Sequence, residues 1–296
     1  MDIKELALKA KRASKSLITL GTQKKNSALC AICEYLCDSA DEILFENKKD
    51  IEKAVEKGTS QAMIDRLTLT KDRILSMVEG VKKIIDLEDP IGETVGAKTL
   101  PNGLKVSKVT VPMGLIGVIY ESRPNVTVDT AVLCLKASSG VILRGGSDAF
   151  NSNKKIVSVM KNALESVGVN PDCISFVEDT SRETATELMK LNGIVDLLIP
   201  RGGASLIKTV VNNATIPVIE TGAGVCHTYF DEYGDLEKGK VIIRNAKTRR
   251  VSVCNALDCL LVHWKQLENL PELCKPLADF SVTIYADTAA YKALED

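Results

Sequence analysis

The sequence predicts an α/β protein, helical to about residue 89 and built on a parallel sheet beyond it. Two observations point there. Apolar residues first recur at helical three- and four-residue steps, and short strand-like runs then alternate with helical ones. Two of the junctions, Arg144-Gly145-Gly146-Ser147 and Arg201-Gly202-Gly203-Ala204, place glycines between a strand and a helix. Consecutive strands joined by helices imply crossover connections and hence parallel pairing.

Ile3, Leu6, Ala7, Ala10, Ala13, Leu17 and Leu20 mark the first helix, with Gly21 as its stop signal. Further helices are expected over about 23–37, 41–56 and 71–85, the last closed by Asp89-Pro90. Leu104 to Val109 alternates like a strand, and Leu115 to Tyr120 is an apolar run suited to a buried one. Strands at Val141–Leu143, Cys173–Val177 and Val195–Ile199 precede helices from about Asn151, Arg182 and Ala204. Pro217-Val218-Ile219 follows as a strand. Beyond Gly222-Ala223-Gly224 a second sheet is expected from Cys226–Phe230 and Ala256–Val262, then a strand over Ser281–Tyr285 and a helix over Ala289–Leu294.

Composition excludes several functional classes. The 38 Lys+Arg balance 39 Asp+Glu, and aromatics are 4 %, so neither a basic nucleic-acid face nor a base-stacking platform is indicated. The longest uncharged apolar run, Val109 to Tyr120, contains Pro112 and is shorter than the ~20 residues a membrane helix needs. The mixed charges of the first residues do not read as a secretory signal. Nine cysteines, an odd number, suit reduced thiols in the cytoplasm better than a disulfide framework.

Chemistry concentrates at a few positions. Cys30, Cys33 and Cys37 fall on one side of a helix and are expected to pack in the core, since structural zinc takes four ligands and no fourth lies near. Cys226, His227, Cys254, Cys259 and His263 match no familiar zinc spacing. Each glycine turn either offers N–H groups to an anion or serves only the geometry of a tight turn. The full dinucleotide fingerprint is absent, because His227 holds its last position. Cys254 follows Lys247, Arg249 and Arg250, whose positive field favours a thiolate; a structural thiol is the alternative.

Several segments, taken in order, resemble the γ-glutamyl phosphate reductase (glutamate-5-semialdehyde dehydrogenase) family of the aldehyde dehydrogenase superfamily. They are Val111-Pro112-Met113-Gly114, Glu121-Ser122-Arg123-Pro124-Asn125-Val126, Leu143 to Ser147, and Pro200 to Gly203. Glu220 to His227, Asn245 to Thr248 and Ser252-Val253-Cys254-Asn255-Ala256-Leu257 complete the set. The resemblance implies an aldehyde dehydrogenase-like fold, with N-terminal helices and a parallel-sheet cofactor domain over 1–224 (helical 1–89, α/β 90–224). An incomplete α/β catalytic domain over 225–296 would follow, with the nicotinamide in the cleft between the two.

It further implies reduction of glutamyl phosphate by NADPH to the semialdehyde, in proline biosynthesis. Cys254 corresponds to the nucleophile, Asn125 to the oxyanion donor and Glu220 to the superfamily glutamate. Arg144, Gly145, Gly146 and Ser147 correspond to the adenosine-ribose turn, and Arg201, Gly202 and Gly203 to the turn beside the pyrophosphate. Arg123, Lys247 and Arg250 are candidates, on charge, for the substrate's anionic groups. No metal is expected. The family's chains run longer, so the resemblance implies a sequence lacking the closing, oligomer-forming segment. A homo-oligomer and contact with glutamate 5-kinase are the expected assemblies. Val251 and Arg249 depart from the proline and neutral residue expected there. Two other readings are a CoA-acylating aldehyde dehydrogenase, with the same thioester logic, and a non-catalytic zinc-binding scaffold.

Overall fold

The structure, a computed structural model, describes residues 2–220, 222, 224–251 and 253–295. The chain divides into two compact units, Met1–Thr221 and Gly222–Asp296. The first unit begins with helices α1 (Ile3–Leu17), α2 (Thr22–Asp38), α3 (Ala40–Glu56), α4 (Gln61–Leu67) and α5 (Lys71–Asp86). A hairpin of β1 (Thr94–Thr99) and β2 (Lys105–Val109) follows, antiparallel and exposed along both strands. Then come β3 (Leu115–Tyr120), α6 (Pro124–Lys136), β4 (Gly140–Arg144), α7 (Phe150–Ser166), β5 (Ile174–Phe176), α8 (Arg182–Leu188), β6 (Leu197–Arg201) and α9 (Ala204–Asn213).

Four of these strands form a parallel sheet in the order β5-β4-β3-β6. Every residue of β3 is buried, as both faces of a parallel sheet require covering. Leu115 and Ile119 pack with Ile142 and Leu198 beneath Ile3, Ala7, Ala10 and Val210. Ile116, Val118 and Tyr120 face the other way, against Val128, Val132, Ile156 and Met160 of α6 and α7. The chain moves from β3 outward to β4 and β5, then returns to the far side of β3 as β6. That reversal puts the switch in strand order between β3 and β4 on one side and β6 on the other, and ligands of open α/β sheets bind at the carboxyl ends of such strands.

Two carboxylates, Asp50 buried and Asp89 half-buried, tie the helices to this sheet. Asp50 of α3 accepts hydrogen bonds from Asn151 N (3.2 Å) and Nδ2 (2.8 Å), and from Ser152 N (2.8 Å) and Oγ (2.6 Å), closing the N-terminus of α7. Asp89 accepts from the buried Lys25 Nζ at 2.6 Å, from Thr22 Oγ1 at 2.7 Å and from Ile91 N at 3.1 Å. Lys25 also reaches Ser138 Oγ at 3.0 Å, fastening α2 to the turn before β4. Burial by itself would raise the Asp89 carboxyl, but the Lys25 ammonium and these donors outweigh it and hold it below the usual range.

The second unit holds β7 (Cys226–Phe230), α10 (Leu236–Thr248), β8 (Leu257–Val262), α11 (Leu270–Cys274) and α12 (Thr288–Glu295). β7 and β8 pair in parallel. Phe230, Ile243, Leu257, Leu273 and Leu277 make its core. No helix among the described residues is long and apolar enough to cross a membrane.

Several expectations need correcting. The first helix ends at Leu17, and Gly21 stands at the N-cap of α2 instead of stopping α1. The buried arc of α2 centres on Lys25, Leu29, Ile32 and Leu36, so Cys33 lies at its edge while Cys30 and Cys37 are exposed beyond it. Only Cys33 of the three packs in the core, and burial pushes its thiol up to about 11. The segment at Pro217 contributes a single parallel bridge, Val218 to Leu198; proline has no N–H to extend a ladder. Ser281 is left-handed, with φ 52°, and residues 282–287 carry no regular structure. No strand among the described residues pairs with them.

Replacing Asp50 with Ala strands four donors, the two of Ser152 buried, and the urea midpoint should fall by an amount equivalent to about 3 kcal/mol. Asp89, lowered in the folded state, stabilises fully above its unfolded value of about 4, and that contribution disappears as the pH falls through the folded value. Urea titrations between pH 6 and pH 3 should show a shallower acid loss for Asp89→Asn than for the wild type.

Candidate active site

In the first unit the candidate residues gather at the carboxyl end of the sheet. Glu121 N donates to Arg201 O at 3.1 Å, continuing the β3–β6 ladder past the strand ends. Arg123 is the half-buried N-cap of α6, and Pro124 at the next position suits a first helical turn. Asn125 follows on the exposed side of that turn. Its Nδ2 donates to Asp129 Oδ2, one helical turn on, at 3.1 Å. Burial raises the Asp129 carboxyl, partly opposed by the Asn125 hydrogen bond and by the Arg201 charge. One N–H of the Asn125 amide is therefore held in place, and the second remains a donor.

The turn after β4 is shaped from below. Tyr120 donates to Thr127 Oγ1 at 2.6 Å, and Thr127 donates to Asn153 Oδ1 at 2.9 Å. Asn153 Nδ2, buried and without a hydrogen-bond partner, lies 2.6 Å from where a Cβ on Gly145 would stand. Gly145 is thus required by close approach. Gly146 has open space instead, with no atom nearer than 3.8 Å to such a Cβ, and Ser147 is exposed. The Arg144 guanidinium donates to the carbonyls of Thr180 (2.5 Å) and Ser181 (2.9 Å), and its Nε is buried without a partner. Burial lowers its pKa, with Asp179 opposing.

The turn after β6 is arranged differently. Glu121 Oε2 accepts from Gly203 N at 2.9 Å, at the N-terminus of α9. A Cβ on Gly202 would come within 2.6 Å of the same carboxyl group, the end of an exposed side chain that can move aside. Glu220 is exposed beyond the Val218 bridge.

In the second unit Cys254 is exposed on the turn before β8, where Ala256 N donates to Val253 O at 3.2 Å. The Cys226 thiol, at the start of β7, donates to the Cys254 carbonyl at 3.3 Å. Lys247, in the last turn of α10, donates to Leu257 O at 2.8 Å, joining that helix to the head of β8. One of its three ammonium donors is therefore structural. Arg250 is exposed. His227 Nδ1 lies 2.7 Å from Val225 O. Among the described residues no group of three or more His, Cys, Asp or Glu side chains is placed to hold a metal ion.

No protein-family model matches the chain. It is, however, 54 % identical over 284 residues to a gamma-glutamyl phosphate reductase of Caldicellulosiruptor bescii, spanning 96 % of this chain and 68 % of that protein. The chain belongs to the gamma-glutamyl phosphate reductase family. The Thermobifida fusca member is 49 % identical over 287 residues, 97 % of this chain and 69 % of its own length. The crystal structure of the Thermotoga maritima gamma-glutamyl phosphate reductase matches with a TM-score of 0.90 at 41 % identity, covering all of this chain and 72 % of that one. A Rhodopseudomonas palustris propionaldehyde dehydrogenase matches at TM-score 0.72 and 17 % identity, over 99 % of this chain and 61 % of that one, a likeness of fold. The fold is α/β and aldehyde dehydrogenase-like, and such a reductase implies a nicotinamide cofactor.

The residues of this reductase-family chain fit that group at one turn. At the β4–α7 turn, Arg144 brings a half-buried cation hydrogen-bonded to two carbonyls and within reach of the Asp179 charge, beside the open Gly146 and exposed Ser147. At the β6–α9 turn the Gly203 N–H is occupied by Glu121. Sequence reasoning missed Glu121, Asp129 and the Cys226 contact. The four-residue step from Asn125 to Asp129 on a helix is a signal that could have found the second.

Thiol mapping tests this exposure pattern. Native protein treated with iodoacetamide at neutral pH should be labelled first at Cys30, Cys37 and Cys254. Cys134 and Cys173, whose thiols burial pushes up to about 12, should react only after unfolding. Peptide mass spectrometry reads the order.

Proposed function

We propose that this protein reduces glutamyl 5-phosphate to glutamate 5-semialdehyde and phosphate with NADPH, the second step of proline synthesis from glutamate. What carries the reading is the family identity, which extends over 96 % of the chain. The exposed turn position of Cys254 supports it, because a nucleophilic thiol must be reachable.

The chemistry follows from the side chains. The Cys254 thiolate attacks the acyl carbon, the carbonyl oxygen takes on charge, and phosphate leaves to give a thioester. Asn125 donates its second amide N–H to that oxygen; removal of such a donor typically costs ~100- to 1,000-fold. A reductive reaction has no water to activate, so Glu220 either shuttles a proton or shapes the nicotinamide pocket. Arg123 and Arg250 attract the phosphate and carboxylate of the substrate, and Lys247 holds the Cys254 turn against α10.

Arg144, Gly146 and Ser147 would hold the adenosine end of the cofactor, where a guanidinium suits a 2′-phosphate. Gly145 keeps their turn close to Asn153. Arg201, Gly202 and Gly203 form the second turn. When bound, the cofactor supplies the hydride that converts the thioester to the aldehyde.

The reverse reaction gives the test. The full-length gene product, supplied with glutamate 5-semialdehyde and NADP⁺, should form NADPH when phosphate is added. Dependence on CoA in place of phosphate would overturn the substrate assignment. Cys254→Ala should lose about 1,000-fold or more in kcat with retained folding, whereas near-normal turnover would remove Cys254 as nucleophile.

A further inference from the structure

The groups assigned to substrate binding above, Arg123 and Arg250, are both cationic. They match the phosphate and carboxylate of a glutamyl phosphate but leave its α-ammonium without a partner. An ammonium in a partly dry site needs a carboxylate or several carbonyls around it. This gap can be tested against the neighbourhood of Asn125.

We propose that Asp129 receives the α-ammonium of the substrate while Asn125, one helical turn earlier, holds its reacting carbonyl oxygen. The inference rests on the reading of Asn125 and of the glutamyl substrate given above. Asp129 is half-buried and projects from α6 on the side that carries Asn125, the two side chains meeting at 3.1 Å. That contact is the one hydrogen bond its carboxylate accepts among the described residues. Four acceptor positions are therefore met by a single donor. The contrast with Asp50, equally helical but met by four donors, is plain. Asp50 is satisfied by the fold; the half-buried Asp129 keeps acceptor positions open to solvent or to a ligand.

The charges around it agree. Burial disfavours the Asp129 carboxylate, and Arg201 and the Asn125 amide only partly oppose that. A cation arriving from solution would complete the compensation. The spacing also suits one ligand, because only a short aliphatic chain separates the amino group from the reacting carbonyl of a glutamyl compound. Asp129 would then determine specificity, admitting α-amino acyl substrates and leaving deaminated ones poorly held.

The experiment compares two aldehydes in the phosphate-dependent direction, glutamate 5-semialdehyde and its deaminated analogue 5-oxopentanoate. Wild-type full-length protein should prefer the amino compound in kcat/KM. In Asp129→Asn that preference should shrink by about 30-fold or more, the usual consequence of losing a charge-assisted hydrogen bond. The loss should appear mainly in KM for the amino substrate, since the ammonium contact is the same in ground and transition states. An unchanged preference ratio, whatever happens to overall rate, would overturn the proposal and leave Asp129 as a support for Asn125 alone. If Asp129→Asn fails to fold, Asp129→Glu retains the charge at a longer reach and should keep more of the preference. A wild type indifferent to the amino group also overturns the proposal. No phosphate-dependent turnover with either aldehyde would overturn the functional reading itself, and this assignment with it.

Discussion

Parallel strands put all their carboxyl ends on one edge, and the candidate chemistry of the first unit depends on that constraint. β3 is buried at every residue, so its direction and register are fixed by packing on both faces. The reversal of strand order falls beside it, the position where open α/β sheets take their ligands. Arg123 and Asn125 leave the end of β3, Arg144 to Ser147 the end of β4, and Arg201 to Gly203 the end of β6. These residues are far apart in the chain and become neighbours because three strands stop together. The helices fastened by Asp50 and Lys25 hold the sheet in that arrangement from behind.

Much of this architecture was legible in the sequence, for physical reasons. β3 through β6 are short apolar runs, the last three each followed by an expected helix, and both faces of a parallel sheet need such runs. The β1–β2 hairpin was half missed, because β1 is exposed along its length and Thr-Val-Gly-Ala-Lys-Thr carries no buried alternation. α4 is a single short segment after Gly58 with too few turns to establish a period. Ser281–Tyr285 has strand-like residues and no strand to pair with, a fact that only tertiary structure reveals. Cys30 and Cys37 were placed wrongly because a four-residue step fixes which side of a helix residues share, not how wide the buried arc is.

The candidate site shows the same division. Cys254, Asn125 and the glycine turns could be named from motifs, since each lies at a junction that the pattern itself marks. What those side chains touch could not. The Gly145 backbone rests on Asn153, and the Cys254 carbonyl takes the Cys226 thiol. Both contacts join residues separated by other elements or by a loop, and nothing in local spacing encodes them. Lys247 illustrates the cost of reasoning from charge alone: part of its donor capacity closes a helix against a strand.

Glu121 has a further consequence. A helix end normally leaves several N–H groups to water or to a bound anion. At α9 the chain supplies its own counter-charge through that carboxylate. The order of the turn therefore does not wait on any guest molecule. A negatively charged visitor to this helix end enters by exchange rather than by addition, and its tightness measures the difference between two anions competing for one set of dipoles.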